Sequence, residues 1–412
     1  MTRLHRAQRW LTLLAALSVL TIGFSFPRFS LPRFYPALVS QFHWNSASAV
    51  AGGSIVLLLI GIFSPIIGWL VDQYGPKRIL LAGIATVALS LALLSIATDL
   101  RLYYASCLLL GLGISAVSIL PTSLLIAPWF RRGRGSAVGF INAGIGLGGF
   151  IAPLLTNAQL GRRGISGTFL VLACWMVLPF ILTLLTESGI RGGAATDPEG
   201  IPRAHTGNAG QWKLARLLRL PMFWIFGLSV FFAAHAMTAV QENLILYLRG
   251  EGMSGARAAL ALSIAIGSSA PGKLLSGAIT DRFSARLAAT LSVFCVGLAI
   301  LGLLAIDPHS ELLFVFAVVF GFGYGGTFNA PPMIVFEYFG TRQVGAVLGV
   351  FLVFFGLGTS SGGVLASYLF DRTHRYSVPF TLDLAIAAVS LLLLLAGARQ
   401  TRTVAVPSVS AA

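Results

Sequence analysis

The chain has 412 residues, 56% apolar and only 10% charged, with a net charge of +15. A soluble globular domain carries about 25% charged residues, so this chain could not coat its surface with polar groups, and its solvent is lipid. The basic residues form no stripe interleaved with aromatics, which excludes nucleic-acid binding as the purpose of the charge.

Crossing about 30 Å of hydrocarbon takes about 20 apolar helical residues. Runs of that length recur at 10–38, 48–71, 78–98, 102–128, 135–156, 167–186, 221–247, 256–280, 286–306, 311–336, 344–367 and 378–397. They are continuous, where barrel strands would alternate over about 10 residues. The sequence therefore predicts an all-α membrane protein of twelve transmembrane helices in two six-helix halves, 1–186 and 221–412. The polar segment 187–220 is the expected cytoplasmic linker, and its basic amphipathic stretch QWKLARLLRL is expected to lie on the membrane face. The first run starts at Trp10 and continues without a small-residue cleavage site, which reads as a retained helix. Cys107, Cys174 and Cys295 fall inside runs without metal-ligand spacing and read as packing residues. Counted by side, Lys and Arg favour the face bearing the termini by roughly two to one, which places both termini in the cytoplasm.

Along the chain, the first candidate is Arg28. It lies past the midpoint of the first run beside Pro27, which removes a backbone donor. A charge at that depth costs at least ~2.5–3.5 kcal/mol, and a guanidinium can hold a carboxylate bidentately, so Arg28 is the expected anion site. Arg33, further out, reads as a side chain reaching the headgroups. GWLVDQYGPKR begins at Gly68 and GAITDRFSAR at Gly277. Gly68, Asp72 and Lys77 thus recur as Gly277, Asp281 and Arg286, about 210 residues on, with Gly75 and Arg78 completing the first copy. Tight turns need such glycines, and the basic residues are expected to meet anionic headgroups. Gly111, Gly113, Pro121, Gly135, Gly139, Gly146 and Gly148 recur as Gly321, Gly323, Pro331, Gly345, Gly349, Gly356 and Gly358. Repeats in an apolar chain point to a transporter with its substrate path between the halves. Asn142 in the fifth run and Asn329 in the tenth are polar groups able to bond a substrate or a neighbouring helix, with Tyr324 and Phe328 beside the latter. In the seventh run, Glu242 and His235 are candidates for proton coupling or gating. Lys273, four residues before Gly277, is the expected second cation facing Arg28 across the cleft. Asp383, in the last run, reads as structural. No zinc helix, nucleophile elbow or phosphate loop appears, so neither an enzyme, a cofactor nor a metal is expected.

Gly68, Asp72, Gly75 and Lys77 fit a pattern of Gly, three residues, Asp, two residues, Gly, one residue and a base. This resembles the loop between helices two and three of the major facilitator superfamily. The copy at Gly277 has Ser284 in place of the second glycine. The resemblance implies that Asp72 docks near Gly345 and holds the inner gate shut. Four stretches, FPRFSLPRFYPALVSQFHW, PTSLLIAPWFRRGRGSAVGFINAGIGLGG, PGKLLSGAITDRF and GFGYGGTFNAPPMIVFEYFG with SGGVLASYLFDRTHRYSVPF, are similar to the monocarboxylate transporters and oxalate–formate antiporters. Departures exist. Cys107 stands where many superfamily members have an Arg, and Lys273 with Ser269 replaces an Arg–Asp arrangement. No Lys lies between Gly345 and Ala366, which disfavours a doubly charged substrate. The resemblance implies a monomeric secondary transporter in a bacterial cytoplasmic membrane, moving a small monocarboxylate, with a proton, by alternating access. A drug or metabolite exporter is the alternative. A transporter-like sensor that binds without flux is the alternative from another class.

Overall fold

The computed structural model describes residues 3–130, 134–187, 220–305, 307, 309–339 and 344–400, and every regular element among them is helical. Eleven spans are long and apolar enough to cross a membrane, and one of them, Ala137–Leu185, has 49 residues. At 1.5 Å per residue that span is about 70 Å long, twice what one crossing takes. It breaks at Gly164, whose φ of 65° and ψ of −170° end one helix and start the next, so the crossings among the described residues number twelve. They are α1 (3–42), α2 (Ser46–Tyr74), α3 (Pro76–Ile96), α4 (Leu100–Trp129), α5 (134–163), α6 (165–185), α7 (Pro221–Gly250), α8 (Gly255–Arg282), α9 (Ala285–Ala305), α10 (Leu312–Phe339), α11 (Val344–Thr373) and α12 (Ser377–Gln400). The linker from 188 to 219, including its amphipathic stretch, lies outside the described residues. We name the two faces of the bundle after their turns, the Asn45 end and the Gly75 end.

The repeat read in the sequence is a repeat of contacts. Glycine lets helices approach until a Cβ would collide. A Cβ on Gly113 would lie 2.9 Å from Val87 N, and one on Gly323 2.8 Å from Val296 N. Gly111 faces Leu59 as Gly321 faces Ser268, and Gly148 faces the Thr21 carbonyl as Gly358 faces that of Phe231. The left-handed turns pair as well: His43 (φ 55°) with Gly252 (81°), and Gly164 (65°) with His374 (54°). Helix starts follow suit, since Asn45 Oδ1 caps α2 and Ser254 Oγ caps α8. The exception is the turn flagged in the sequence. Gly75 takes φ 80°, while Ser284 keeps a negative φ and its hydroxyl caps α9 through the Leu287 amide. The weaker second copy is therefore a different turn built for the same job.

Contacts between the halves also come in matched pairs. Gly61 on α2 meets Gly356 on α11, and Gly146 on α5 meets Ala270 on α8. All four residues lie near the middle of their helices. From there toward the Asn45 end the halves touch. Asp371, on the last turn of α11, accepts the Ser46 and Ala47 amides at the start of α2, at 3.0 and 2.8 Å. Arg33 and Asn157 lie against Gly255 at the start of α8. Toward the Gly75 end the same helices part. Among the described residues, a Cβ on Gly139 or Gly349 would meet nothing within 4 Å, and Gly68 and Gly277 face only Leu120 and Met333 of their own halves. Among the described residues, the halves are in contact at the Asn45 end and apart toward the Gly75 end.

This contrast is testable by substitution. Gly358→Ala should cost about 1–3 kcal/mol through overpacking, seen as a lower melting temperature in detergent. Gly349→Leu should leave the melting temperature near that of the wild type, yet block closure of the Gly75 end and abolish turnover.

Candidate functional site

The site begins with a distortion of α1. Residues Val19–Ser25 form a π-helical stretch directly before Pro27. Proline can neither donate to the carbonyl four residues back nor avoid colliding with it, and a widened turn resolves both faults. That turn also absorbs one residue. Gly148 and Gly358 pair Thr21 with Phe231, but Ser25 with Ala234. Between Thr21 and Ser25 the repeat register therefore slips by one, and it stays slipped as far as the His43/Gly252 turns. Arg28 follows directly after this slip.

Arg28 is 3% exposed, and its Nη1 lies 2.8 Å from Oε1 of Glu242 on α7, which is 0% exposed. Tyr35 Oη donates to Glu242 Oε2 at 2.7 Å, and Gln241 Nε2 donates to Oε1 at 3.0 Å. Both carboxylate oxygens are thus held, which a buried charge requires. Small residues make the room, since Gly53 on α2 and Gly363 on α11 lie directly against this cluster. Four helices from both halves therefore converge on one carboxylate. Tyr324 on α10 is buried close enough to interact with both charges, and Arg28 lies 5.5 Å from the Phe29 ring centre.

Lys273 does not join this cluster. It is half-buried, with Nζ 5.2 Å from the Phe328 ring centre and no carboxylate partner among the described residues. Asn329 Nδ2 bonds the Lys273 carbonyl at 3.1 Å and Ser276 Oγ at 3.2 Å, so its amide braces α8 against α10. Asn142 Oδ1 is buried without a hydrogen-bond partner among the described residues. The structure thus brings Arg28, Glu242 and Tyr324 together and leaves Lys273 and Asn142 as unpaired polar groups. Glu242 occupies the guanidinium of Arg28, and Lys273 stands apart from that contact.

His235 on α7 is 4% exposed and joins a second buried group. Its Nδ1 is 2.9 Å from Ser361 Oγ, and its Nε2 is 3.6 Å from Oδ1 of Asp383, itself 2% exposed. Asp383, expected to be structural, is buried against α7. Arg33 does more than reach for headgroups, since its Nε and Nη2 both donate to Asn157 Oδ1, at 2.8 and 2.7 Å.

At the Gly75 end, Asp72, Arg78 and Asp281 are exposed, and Arg286 is half-buried. Asp72 makes no hydrogen bond or ion pair with a described residue, and the surroundings of Gly345, its expected docking point, lie outside the described residues. Lys77 corrects the headgroup expectation. Its ammonium donates to the carbonyls of Leu184, at 2.9 Å, and Thr186, which end α6. A cation there compensates the free carbonyls and the helix dipole. In the second copy, Glu337 accepts the Ala285 amide at the start of α9. A separate cavity of about 360 Å³ at the Asn45 end is lined by Tyr247, Glu251, Phe370, Arg375 and Tyr376, none of them nominated by the sequence.

Three participants escaped sequence reasoning. Tyr35 lies seven residues after Arg28 and so on the same helix face, a signal that could have found it. Gln241 was visible only as a neighbour of Glu242. Asp371 had no local signal, because its partner is the start of another helix in the other half.

The model of the Major Facilitator Superfamily matches residues 14–308 and 243–411. An MFS-type transporter of Gibberella moniliformis is 29% identical over 327 residues, 76% of this chain and 74% of that protein. Monocarboxylate transporter 13 of Rattus norvegicus is 25% identical over 373 residues, 90% of this chain and 84% of that one. Two crystal structures of the nucleoside transporter NupG, one a point mutant, have TM-scores of 0.75 and 0.70 at 14% and 15% identity. They cover 94% and 96% of this chain and 99% of each NupG chain.

The buried pair should behave as a unit. Arg28→Gln alone strands a buried carboxylate and should cost about 3–5 kcal/mol. Arg28→Gln combined with Glu242→Gln should recover most of that loss. Thermal unfolding of the four species in detergent, as a double-mutant cycle, measures the coupling.

Proposed function

The chain belongs to the Major Facilitator Superfamily, and we propose that it is a secondary transporter that moves a small organic monocarboxylate, together with a proton, by alternating access. The single observation behind this reading is the Arg28–Glu242 pair, a buried guanidinium already holding a carboxylate across the two halves. A substrate carboxylate has the same charge and geometry as the Glu242 side chain and competes with it for Arg28. Once Arg28 turns to the substrate, the charged tie between α1 and α7 is lost and the Tyr35 hydrogen bond alone holds Glu242 to α1, which eases opening of the Asn45 end. Lys273, unpaired and half-accessible, provides the second positive field along the route, and Asn142 Oδ1 and Tyr324 offer polar contacts. Adding an anion to a pair that is already neutral leaves one negative charge in low dielectric, and a co-transported proton removes it. The likeness to monocarboxylate transporter 13 supports the substrate class.

In this reading the Gly75 end faces the cytoplasm of a bacterial cell, as do both termini, and the protein works as a monomer. The segment 187–220 links two rocking halves, 1–186 and 221–412. The Gly68–Arg78 and Gly277–Arg286 turns govern closure of the cytoplasmic side, with Asp72 released while that side is open.

Uptake of labelled lactate, pyruvate, formate and oxalate into proteoliposomes tests the reading. An inward proton gradient should stimulate uptake of a monocarboxylate, and Arg28→Gln should abolish it. Lys273→Gln should raise the half-saturating concentration by about ten-fold or more, the loss of one charge-assisted contact. Glu242→Gln should lower the half-saturating concentration by about ten-fold, because the internal competitor is gone, while slowing turnover. Failure of folded protein to move any acid would overturn the carboxylate reading in favour of an exporter of cationic or neutral compounds.

A further inference from the structure

We propose that His235 and Asp383 form a proton-binding site in the C-terminal half, separate from the Arg28–Glu242 pair, and that this is where the co-transported proton resides. The inference rests on the proton-coupled reading above and assigns the coupling to particular atoms.

The geometry carries it. Ser361 Oγ lies 3.0 Å from the Gly358 carbonyl and 2.9 Å from His235 Nδ1. When the hydroxyl donates to the carbonyl it accepts from Nδ1, and a neutral His235 presents a bare lone pair at Nε2, 3.6 Å from Asp383 Oδ1. When it donates to Nδ1, Nε2 carries the hydrogen and Asp383 is a buried carboxylate without a permanent cation. In either tautomer Asp383 Oδ2 has no hydrogen-bond partner among the described residues. One added proton resolves either case, whether it is drawn as an imidazolium beside a carboxylate or as a carboxylic acid beside an imidazole. The contact is longer than a hydrogen bond, and bound proton closes that gap.

The surroundings separate this acid from Glu242. Glu242 has a fixed counter-charge in Arg28 in this structure. Asp383 has only a titratable partner. From α11 the pair meets Ser361, while the charged residues of that helix, Asp371 and Arg372, lie toward the Asn45 end. On α9, which packs on α12 through Gly297 against Leu384 and Ala387, the ionisable residues are Cys295 and, at the Gly75 end, Arg286. On α7 the next ionisable group is Glu242, two turns on, already held by Arg28 and Tyr35 of α1 and close to Tyr324 of α10. No lysine or arginine among the described residues forms an ion pair with Asp383. The two sites are nonetheless joined mechanically. Gly362 of α11 packs on the His235 carbonyl, and Gly363 beside it packs on the Glu242 side chain. A shift of α7 along α11 therefore moves both.

The test compares two transport modes of the reconstituted protein. Exchange of labelled for unlabelled substrate at equal pH needs binding and movement but no net proton flux. Accumulation driven by a proton gradient needs the proton site. Asp383→Asn and His235→Gln should keep exchange within about three-fold, under 1 kcal/mol of barrier, and lose proton-driven accumulation, with no proton moved per substrate. Asp383→Glu, which keeps a carboxyl, should restore part of the accumulation. Wild-type accumulation in Asp383→Asn would overturn the proposal. If the wild type moves no acid at all, the carboxylate reading fails and the proton site is judged by titration alone. Between about pH 4 and 9, purified Asp383→Asn in detergent should bind one proton fewer than the wild type, and an equal count would overturn the site. The same count decides the matter if the variant melts near the wild type but exchanges poorly.

Discussion

A charge buried in a membrane protein must be answered by another, and the Arg28–Glu242 pair is the point at which this chain meets that requirement across its two halves. Two unit charges a few ångströms apart interact weakly in water and strongly in a dry interior, while each costs several kcal/mol to bury unpaired. The pair therefore persists only where its geometry is complete. Tyr35 and Gln241 fill the remaining sites on the carboxylate, and Gly53 and Gly363 give it space. The widened turn before Pro27 lets α1 carry one residue more than its counterpart α7 while both helices stay in repeat register at their ends. The same constraint makes the pair a switch, because an anion that satisfies Arg28 as well as Glu242 does releases Glu242, and the one negative charge left over calls for a proton.

What repeats and what does not repeat divide scaffold from chemistry. Glycines, caps and left-handed turns recur in both halves and make equivalent contacts. The charged groups of the buried site do not recur. Past the register slip, Met237 stands where the repeat would place a partner for Arg28, and Arg33 stands opposite Glu242. Ser64 takes the place corresponding to Lys273. Duplication supplies two bundles that can rock on each other about the paired contacts Gly61–Gly356 and Gly146–Ala270. The departures from duplication supply a site that recognises one sign of charge.

The helices, their order and the repeat were legible because each depends on local signals: long apolar runs, glycine spacing and loop charge. The split of the 49-residue span at Gly164 was legible as a gap between two runs. Arg28 and Glu242 were legible as separate charges in apolar surroundings. Their partnership was not, because it depends on how far α7 slides past α1, and nothing in either helix sets that distance. Lys77 was read as facing lipid because a sequence shows a base beside a membrane but not the carbonyls of Leu184 and Thr186 within its reach. The contact of Asp383 with His235 and that of Asp371 with the start of α2 have no local signal, because each partner lies in a helix far away in sequence. Paired residues in different helices are the part of such a protein that a single sequence hides.

The claim that the cross-half carboxylate latches the Asn45 end can be measured without knowing the substrate. Spin labels at Gln41 and Glu251, both exposed and on opposite halves of that end, report its opening as an inter-label distance distribution. The account predicts a single short distance in the wild type and a second, longer population in Glu242→Gln, where Arg28 has lost its partner. The same narrow distribution in both proteins would contradict it.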